Sequence, residues 1–393
     1  MSSDLCAAFV QRVDALVAEI HAVEAAMPKP PLPPEERAYY EHKLWELNRA
    51  RINAVAALDR CRSNPPPTLY VNGATLCDRT GAAIILRGIN LPLLDDWRFP
   101  GADNLDAVAQ TGANAVRIAW YVNYPDADRP PYGISDLDGV LSRCKAAGMI
   151  PIVELGDLTG EPDPSLLNTD LILWWTSAPV VSVLNSHADC LIINLANELG
   201  YYHFAADPDA AKTAYISAYT TALQSIRAAG LAMPVMIDAP DFGTSLDFFV
   251  DAGPSLLAAD PGMNLLLSAH AYWAATNYTG SIASCMALGL PLVFGEIANK
   301  EDDTDAGGTL IGYYDLDGGT ANPAPSQFDY HVLLPQLGED AVGWLAWGWG
   351  PDECAARQLS SDGTFAALTP YGEDIVDNPV YGVSLAVKAT IPT

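Results

Sequence analysis

Between residues 84 and 347 the sequence repeats one pattern: a short, nearly continuous apolar run followed by a segment of helical length. The apolar runs fall at 84–89, 114–119, 149–155, 190–195, 233–237, 264–269, 292–295 and 342–347. Helical or mixed segments at 105–110, 136–147, 169–186, 209–229, 245–258, 281–288 and 327–337 lie between them. Strands that are apolar on both sides belong in a parallel sheet with both faces covered, and parallel neighbours need a crossover of about this length. Eight such units predict an α/β fold closed as a (β/α)8 barrel. The competing doubly wound open sheet lacks support, because no G-x-G-x-x-G follows an early strand and no P-loop occurs. The tail 359–376, LSSDGTFAALTPYGEDIV, predicts a closing helix, and 68–77 with 82–86 around Asp78-Arg79-Thr80-Gly81 predict a hairpin.

The N-terminal stretch reads differently. Leu5, Phe9, Val13, Leu16, Val17, Ile20 and Val23 recur at helical spacing, MPKPPLPP at 27–34 forms a stiff turn, and 35–62 predicts a second amphipathic helix. Residues 1–66 are therefore expected to be a helical hairpin with a proline-rich linker, and 67–393 the barrel. The apolar faces of the hairpin need each other, the barrel or another subunit, which leaves a homo-oligomer open.

Half of the 393 residues are apolar, enough for a large core. The chain holds 48 acidic and 20 basic residues, and 39 of the acidic but only 12 of the basic lie in 63–393. Such a surface repels nucleic acid and anionic membranes, whereas a neutral polysaccharide is indifferent to it. No apolar run reaches the ~18 residues that cross a bilayer, and MSSDLCAAFVQRVDAL has none of the marks of a signal peptide. The seven cysteines form no C-x-x-C pair and no zinc spacing, and Cys190 reads as a small buried hydrophobe. Asp302, Asp303, Asp305, Asp315 and Asp317 lack the D-x-D-x-D-G pattern and read as a solvated acidic loop rather than a calcium site. No metal and no cofactor is expected.

In a barrel the chemistry lies at the C-terminal ends of the strands. There the sequence places Arg117, Glu154, Asp157, Asn197, Glu198, Asp238, Asp241, His270, Tyr272, Glu296, Trp347 and Trp349. LIINLANELG ends its apolar run at Asn197-Glu198, and PLVFGE ends at Glu296. Two carboxylates on one rim, about 5 Å apart, are the minimum for cleaving a glycosidic bond by double displacement. Alternation puts Trp349 on the side of Trp347 and sends Trp344 to the core. Trp97, Trp120, Tyr121 and Trp273 lie after strands where sugars could stack, and His203 is a further candidate to line a cleft, with core or rim positions as the alternative.

INLANE, LSAHAYW, LVFGE and GWLAWGW, in this order, resemble glycoside hydrolase family 5, a retaining barrel family. LRGIN, QTGANAVRI, VELGDLTG and MIDAPDFG are similar to its bacterial β-mannanase branch, subfamily 8. The resemblance covers roughly 69–376. It implies Glu198 as acid/base, Glu296 as nucleophile, a polysaccharide or oligosaccharide substrate and a secreted enzyme. Beside it, Asn197 can bond the sugar 2-OH, Arg117 can hold Glu296 ionised, Tyr272 can donate to Glu296, and Trp347 can offer a flat face at the cleavage point. One departure stands out: where the family carries a histidine in a V-H-D-like run, this chain has Leu155-Gly156-Asp157. The expected activity is endo-cleavage of β-1,4-mannan. A β-1,4-glucanase, an exo-acting β-mannosidase or β-glucosidase, and a non-catalytic carbohydrate-binding barrel are the alternatives.

Overall fold

The computed structural model describes residues 7–28, single positions between 39 and 58, then 68–92, 103–123, 132–273, 276, 278–305, 307–318 and 328–391. The chain divides into two compact units, Met1–Pro67 with Arg79–Ala82, and Thr68–Asp78 with Ala83–Thr393. In the first, a helix spans Ala7–Ala26, with Leu16 and Ile20 buried one turn apart. The positions described between 39 and 58 are helical, Ala54 and Leu58 are buried, and the Tyr40 hydroxyl donates to the Ala26 carbonyl at 3.3 Å. The turn of the expected hairpin lies outside the described residues. No described helix is long and apolar enough to cross a membrane.

The second unit opens with a hairpin, β1 (Tyr70–Asn72) and β2 (Thr75–Cys77), and continues into β3 (Arg87–Leu91). Six more parallel strands follow: β4 (Ala115–Trp120), β5 (Ile150–Leu155), β6 (Ile192–Asn194), β7 (Val235–Asp238), β8 (Leu265–Ala271) and β9 (Leu292–Ile297). After β10 (Lys300–Thr304) and β11 (Leu310–Asp315), β12 (Gly343–Ala346) pairs with both β9 and β3. The barrel closes in the order β12-β3-β4-β5-β6-β7-β8-β9. All eight predicted apolar runs are barrel strands, with ends shifted by a few residues.

Two local expectations are corrected. The run read as one strand itself turns at Gly73-Ala74, with Asn72 opposite Thr75, while the expected return across residues 78–81 is present as an antiparallel bridge between Cys77 and Ala83. Gly73 stands first in this two-residue turn and takes the positive φ of 62° that the position requires. The acidic stretch after β9 is an antiparallel hairpin, β10 with β11, rather than a loop.

Alternation in the strands builds two cores. Ala115, Ile150, Ile152, Ile192, Met236, Leu266, Val293 and Leu345 fill the barrel's lower interior, and Leu69, Leu76, Ile84 and Leu86 from the β1–β2 region close it from below. Asn264 ties that plug in place, accepting from Val71 N–H at 2.9 Å and donating to the Leu69 carbonyl at 3.2 Å. The outward residues, Trp344 among them, pack against the helices, which contribute Trp175 to the same core. Each fully buried aliphatic side chain stabilises by roughly 1.5–3 kcal/mol. The five described cysteines, Cys77, Cys144, Cys190, Cys285 and Cys354, are all buried and free.

Gly88 marks the tightest strand contact in this core. A Cβ there would stand 2.7 Å from the Ala115 carbonyl oxygen and 2.8 Å from Leu345 Cδ2. Gly88→Ala should therefore cost about 1–3 kcal/mol through strand displacement, read as a lower midpoint in thermal unfolding. An unchanged midpoint would show that β3 and β4 separate freely.

Candidate active site

The side chains that reach the barrel mouth continue the inward-facing series of each strand. Above Ala115 in β4 comes Arg117, above Ile152 in β5 Glu154, above Ile192 in β6 Asn194, and above Met236 in β7 Asp238. In β8, Leu266 is followed by Ser268 and His270, and all six of these polar residues are buried. Strand β9 follows the alternation only as far as Gly295. Ala269 of β8 faces Phe294, and the next pair is His270 with Glu296, so Gly295 is an extra residue. This bulge turns Glu296 inward where strict alternation would send it out beside Phe294. Gly295 has no room for a side chain: a Cβ would lie 2.5 Å from Ser268 Oγ and 3.0 Å from His270 Nε2.

Arg117 occupies the centre. Its guanidinium has five N–H groups, and each has an acceptor: Asn194 Oδ1 at 2.9 Å, Asn90 Oδ1 at 3.1 Å, Glu296 Oε1 at 2.8 Å, Asn197 Oδ1 at 2.7 Å and Asp238 Oδ2 at 3.2 Å. The Tyr272 hydroxyl donates to the second Glu296 oxygen at 2.6 Å. His270 Nδ1 lies 2.7 Å from Glu198 Oε1 and 3.7 Å from Glu296 Oε1. One oxygen of Glu198, one of Glu296 and one His270 nitrogen fall within 4.8 Å of one another. Glu198 reaches this point from a left-handed backbone, φ 50°, a conformation that costs about 1 kcal/mol in a non-glycine residue.

Trp347 is half-buried just beyond β12, the strand beside β9. Its indole N–H donates to Asp352 Oδ2 at 2.7 Å. Asp352 also pairs with Arg357 at 3.0 Å, and Arg357 lies over the Tyr272 ring, 5.7 Å from its centroid. A further Arg357 nitrogen reaches Asp302 of β10 at 3.0 Å. Arg357 thus joins the hairpin, the indole and the tyrosine that touches Glu296. Sequence reading missed Arg357 and Asp352, which lie in a loop, and Asn90, the last residue of the LRGIN run.

Residues 77–353 match the family described as Cellulase (glycosyl hydrolase family 5). The chain belongs to glycosyl hydrolase family 5. Among curated members it is 28% identical over 317 residues to a mannan endo-1,4-β-mannosidase of Salipaludibacillus agaradhaerens, covering 78% of this chain and 90% of that protein. Among solved structures, the mannanase catalytic domain from Streptomyces sp. SirexAA-E is 27% identical, with a TM-score of 0.67 over 83% of this chain and 94% of that one. A β-mannanase from Streptomyces thermolilacinus with mannohexaose is 26% identical, with a TM-score of 0.66 over 82% and 98%.

The charges in this family 5 site are sorted by burial and by neighbours. Burial raises the Glu198 carboxyl above its usual range, against the hydrogen bond and charge of His270. Burial also drives Glu154 up to about 8, although Arg117 opposes it. For Asp238, burial pulls upward but the charges of His270 and Arg117 prevail and hold it at about 2. Burial would lower His270, yet Glu296 and Asp238 hold it at about 10. Near neutral pH, Arg117 and His270 therefore face Asp238 and the ion-paired Glu296, while Glu154 carries a proton and burial raises Glu198. Glu198, His270 and Glu296 also form a donor set that a metal ion could use. A protonated imidazole is no ligand, however, and both Glu296 oxygens already accept hydrogen bonds.

Several expected residues lie elsewhere. Trp120 is buried on the outer side of β4 against Tyr132, because alternation sets it opposite in facing to Arg117. Trp349 is fully buried, its N–H bonded to the Gly363 carbonyl at 3.0 Å; β12 ends at Ala346, so alternation no longer governs position 349. His203 is exposed and pairs with Asp247 at 2.9 Å instead of joining the cluster. Asp157 turns to the backbone, accepting from Val122 N–H at 2.9 Å and Asn123 N–H at 2.7 Å. Trp97 lies outside the described residues.

Glu154 has one oxygen with no hydrogen-bond partner. Its folded value of about 8 exceeds the ordinary 4.5, so between those limits the unfolded chain releases a proton that the fold retains, and stability falls as pH rises. Glu154→Gln, always neutral, should lack this fall. Its melting midpoint relative to the parent should rise from about pH 5 to about pH 8, and a pH-independent difference would remove the buried proton from the account.

Proposed function

We propose that this family 5 enzyme is an endo-acting hydrolase of β-1,4-mannan and that Glu198 and Glu296 perform a double displacement. The observation that carries this reading is the approach of the two carboxyl groups, within 4.8 Å, a separation that suits attack by one of them and leaves no room for an intervening water. Glu198, whose carboxyl burial raises above its usual range, donates to the leaving oxygen. Glu296, oriented by Arg117 and Tyr272, attacks the anomeric carbon and forms the glycosyl-enzyme. Glu198 then takes a proton from water, which completes hydrolysis with retained configuration. Asn197, fixed by Arg117, is available to the sugar 2-OH, and Trp347 offers an apolar face. The mannan preference rests on relatives named as mannanases.

Glu296→Ala should abolish sugar release from mannan while keeping binding. Glu198→Ala should lose about 10²–10⁴-fold on mannan and far less on activated aryl glycosides, whose leaving group needs no proton. Equal losses on both substrates would remove Glu198 from the acid role. Product NMR would show the β-anomer first, and an initial α-anomer would indicate inversion. Wild type that binds mannan and releases sugar from neither mannan, glucomannan nor carboxymethylcellulose would instead mark a binding barrel. We further propose that residues 1–66 fold as a hairpin that associates with a second copy. Mass in solution with and without residues 1–62 tests it, and an unchanged monomer discards the idea.

A further inference from the structure

Glycine at position 156 leaves a gap in the polar rim, and the structure shows what fills it. A Cβ built on Gly156 would lie 2.7 Å from Tyr121 Cε1, 2.8 Å from Cζ and 3.0 Å from the hydroxyl oxygen. The far end of the tyrosine ring therefore occupies the volume that any side chain at 156 would claim. The two positions are equivalent, each one residue past its strand, β4 ending at Trp120 and β5 at Leu155. Gly156 N–H donates to the Trp120 carbonyl at 2.9 Å, so the two strands remain paired up to this point.

Three features hold the ring there. Gly156 makes the space, Asp157 clamps the backbone of Val122 and Asn123 immediately after it, and the strand pair fixes its base. The same level of the barrel holds the proposed reacting groups. Asn197 N–H donates to the Leu155 carbonyl at 2.9 Å, which puts Asn197-Glu198 on the next strand beyond Gly156. Neighbouring strands stand about 4.8 Å apart, so the Tyr121 ring is roughly one strand spacing from Asn197. It is half-buried, with part of its surface open to solvent. A pre-positioned aromatic with a hydroxyl at its tip loses little side-chain freedom on contact with a sugar, and offers both a flat apolar face and a hydrogen bond.

We infer that Tyr121 is a sugar-contacting residue of the cleft floor, and that it takes over from position 156 the grip on one unit of the bound β-1,4-linked chain. The inference rests on the proposed polysaccharide hydrolase activity and names one residue that sets its substrate affinity. Tyr121 acts on binding rather than on the bond-breaking step, so the expected signature is in KM.

The test uses the full chain, with Tyr121→Ala, Tyr121→Phe and Gly156→Ala measured on mannotriose and mannohexaose. Tyr121→Ala should raise KM for mannohexaose about tenfold, the size of one lost aromatic contact, with kcat held within about threefold. Gly156→Ala keeps the ring but pushes it aside and should move KM the same way by less, and Tyr121→Phe isolates the hydroxyl. KM within about twofold of wild type in Tyr121→Ala, on both substrates, would overturn the inference. Should Tyr121→Ala fail to fold by thermal melting, unchanged KM in both Tyr121→Phe and Gly156→Ala would overturn it equally. Affinity electrophoresis separates this from failure of the parent reading. With Glu296→Ala as background, added Tyr121→Ala should weaken the apparent affinity read from retardation about tenfold in gels containing mannan or, if the wild type proves to act on glucan, carboxymethylcellulose. Retardation unchanged by Tyr121→Ala overturns the inference, whether or not the wild type turns over either polymer.

Discussion

A fully buried guanidinium with every donor engaged is the constraint around which this barrel mouth is arranged. Arg117 collects acceptors from β3, β6, β7 and β9 and from the residue pair that follows β6. Removing such a charge from water is expensive, and only complete, well-aimed pairing offsets the cost. A lysine could not substitute, because its point charge cannot meet acceptors in this planar fork. The spacing of the barrel strands and the identity of the polar residues at their ends are in this sense one specification. Losing any acceptor would leave either a buried donor or a displaced neighbour.

That specification divides the acids by function. Four carboxyl groups surround one arginine and one histidine, and two cations can balance only two anions. Burial raises two of them, Glu154, which has an oxygen without a hydrogen-bond partner, and Glu198, where it works against the neighbouring His270. Glu296 has both oxygens accepting hydrogen bonds and is held as an anion-shaped group aimed at the cleft. The proposed acid and nucleophile thus differ in their surroundings, although the two side chains are chemically identical. His270 keeps this balance from a slot that Gly295 leaves open.

The barrel was legible because its evidence is redundant: eight apolar runs, each bounded by helix-length segments, leave few other solutions. The two carboxylates proposed to react were legible as candidates because they fall at the ends of those runs. What escaped the sequence were departures from regular period. Strict alternation gives the wrong facing for Glu296, since the bulge at Gly295 is a property of register against β8 and β12. The same rule, carried past the end of β12, put Trp349 in the cleft when it belongs to the core. Asp157 reads as a rim ligand until the backbone it holds is seen. Arg357 ends a single 3-10 turn, Ala355–Arg357, too short to leave a period in the sequence, so only the fold brings it over Tyr272. Gly156 looked like a missing contact, and only coordinates show the ring that has moved into its place.

The unpaired cysteines have a practical consequence. Burial lifts the thiols of Cys144 and Cys190 to about 12, and those of Cys77 and Cys285 to about 11. A thiol in that condition yields almost no thiolate, the form that alkylating agents and peroxide attack. While the barrel is shut these sulfurs are chemically silent, and they become reactive only when the core opens. The molecule therefore carries its own unfolding probes, distributed around the barrel, that a mass spectrometer could read without any added label.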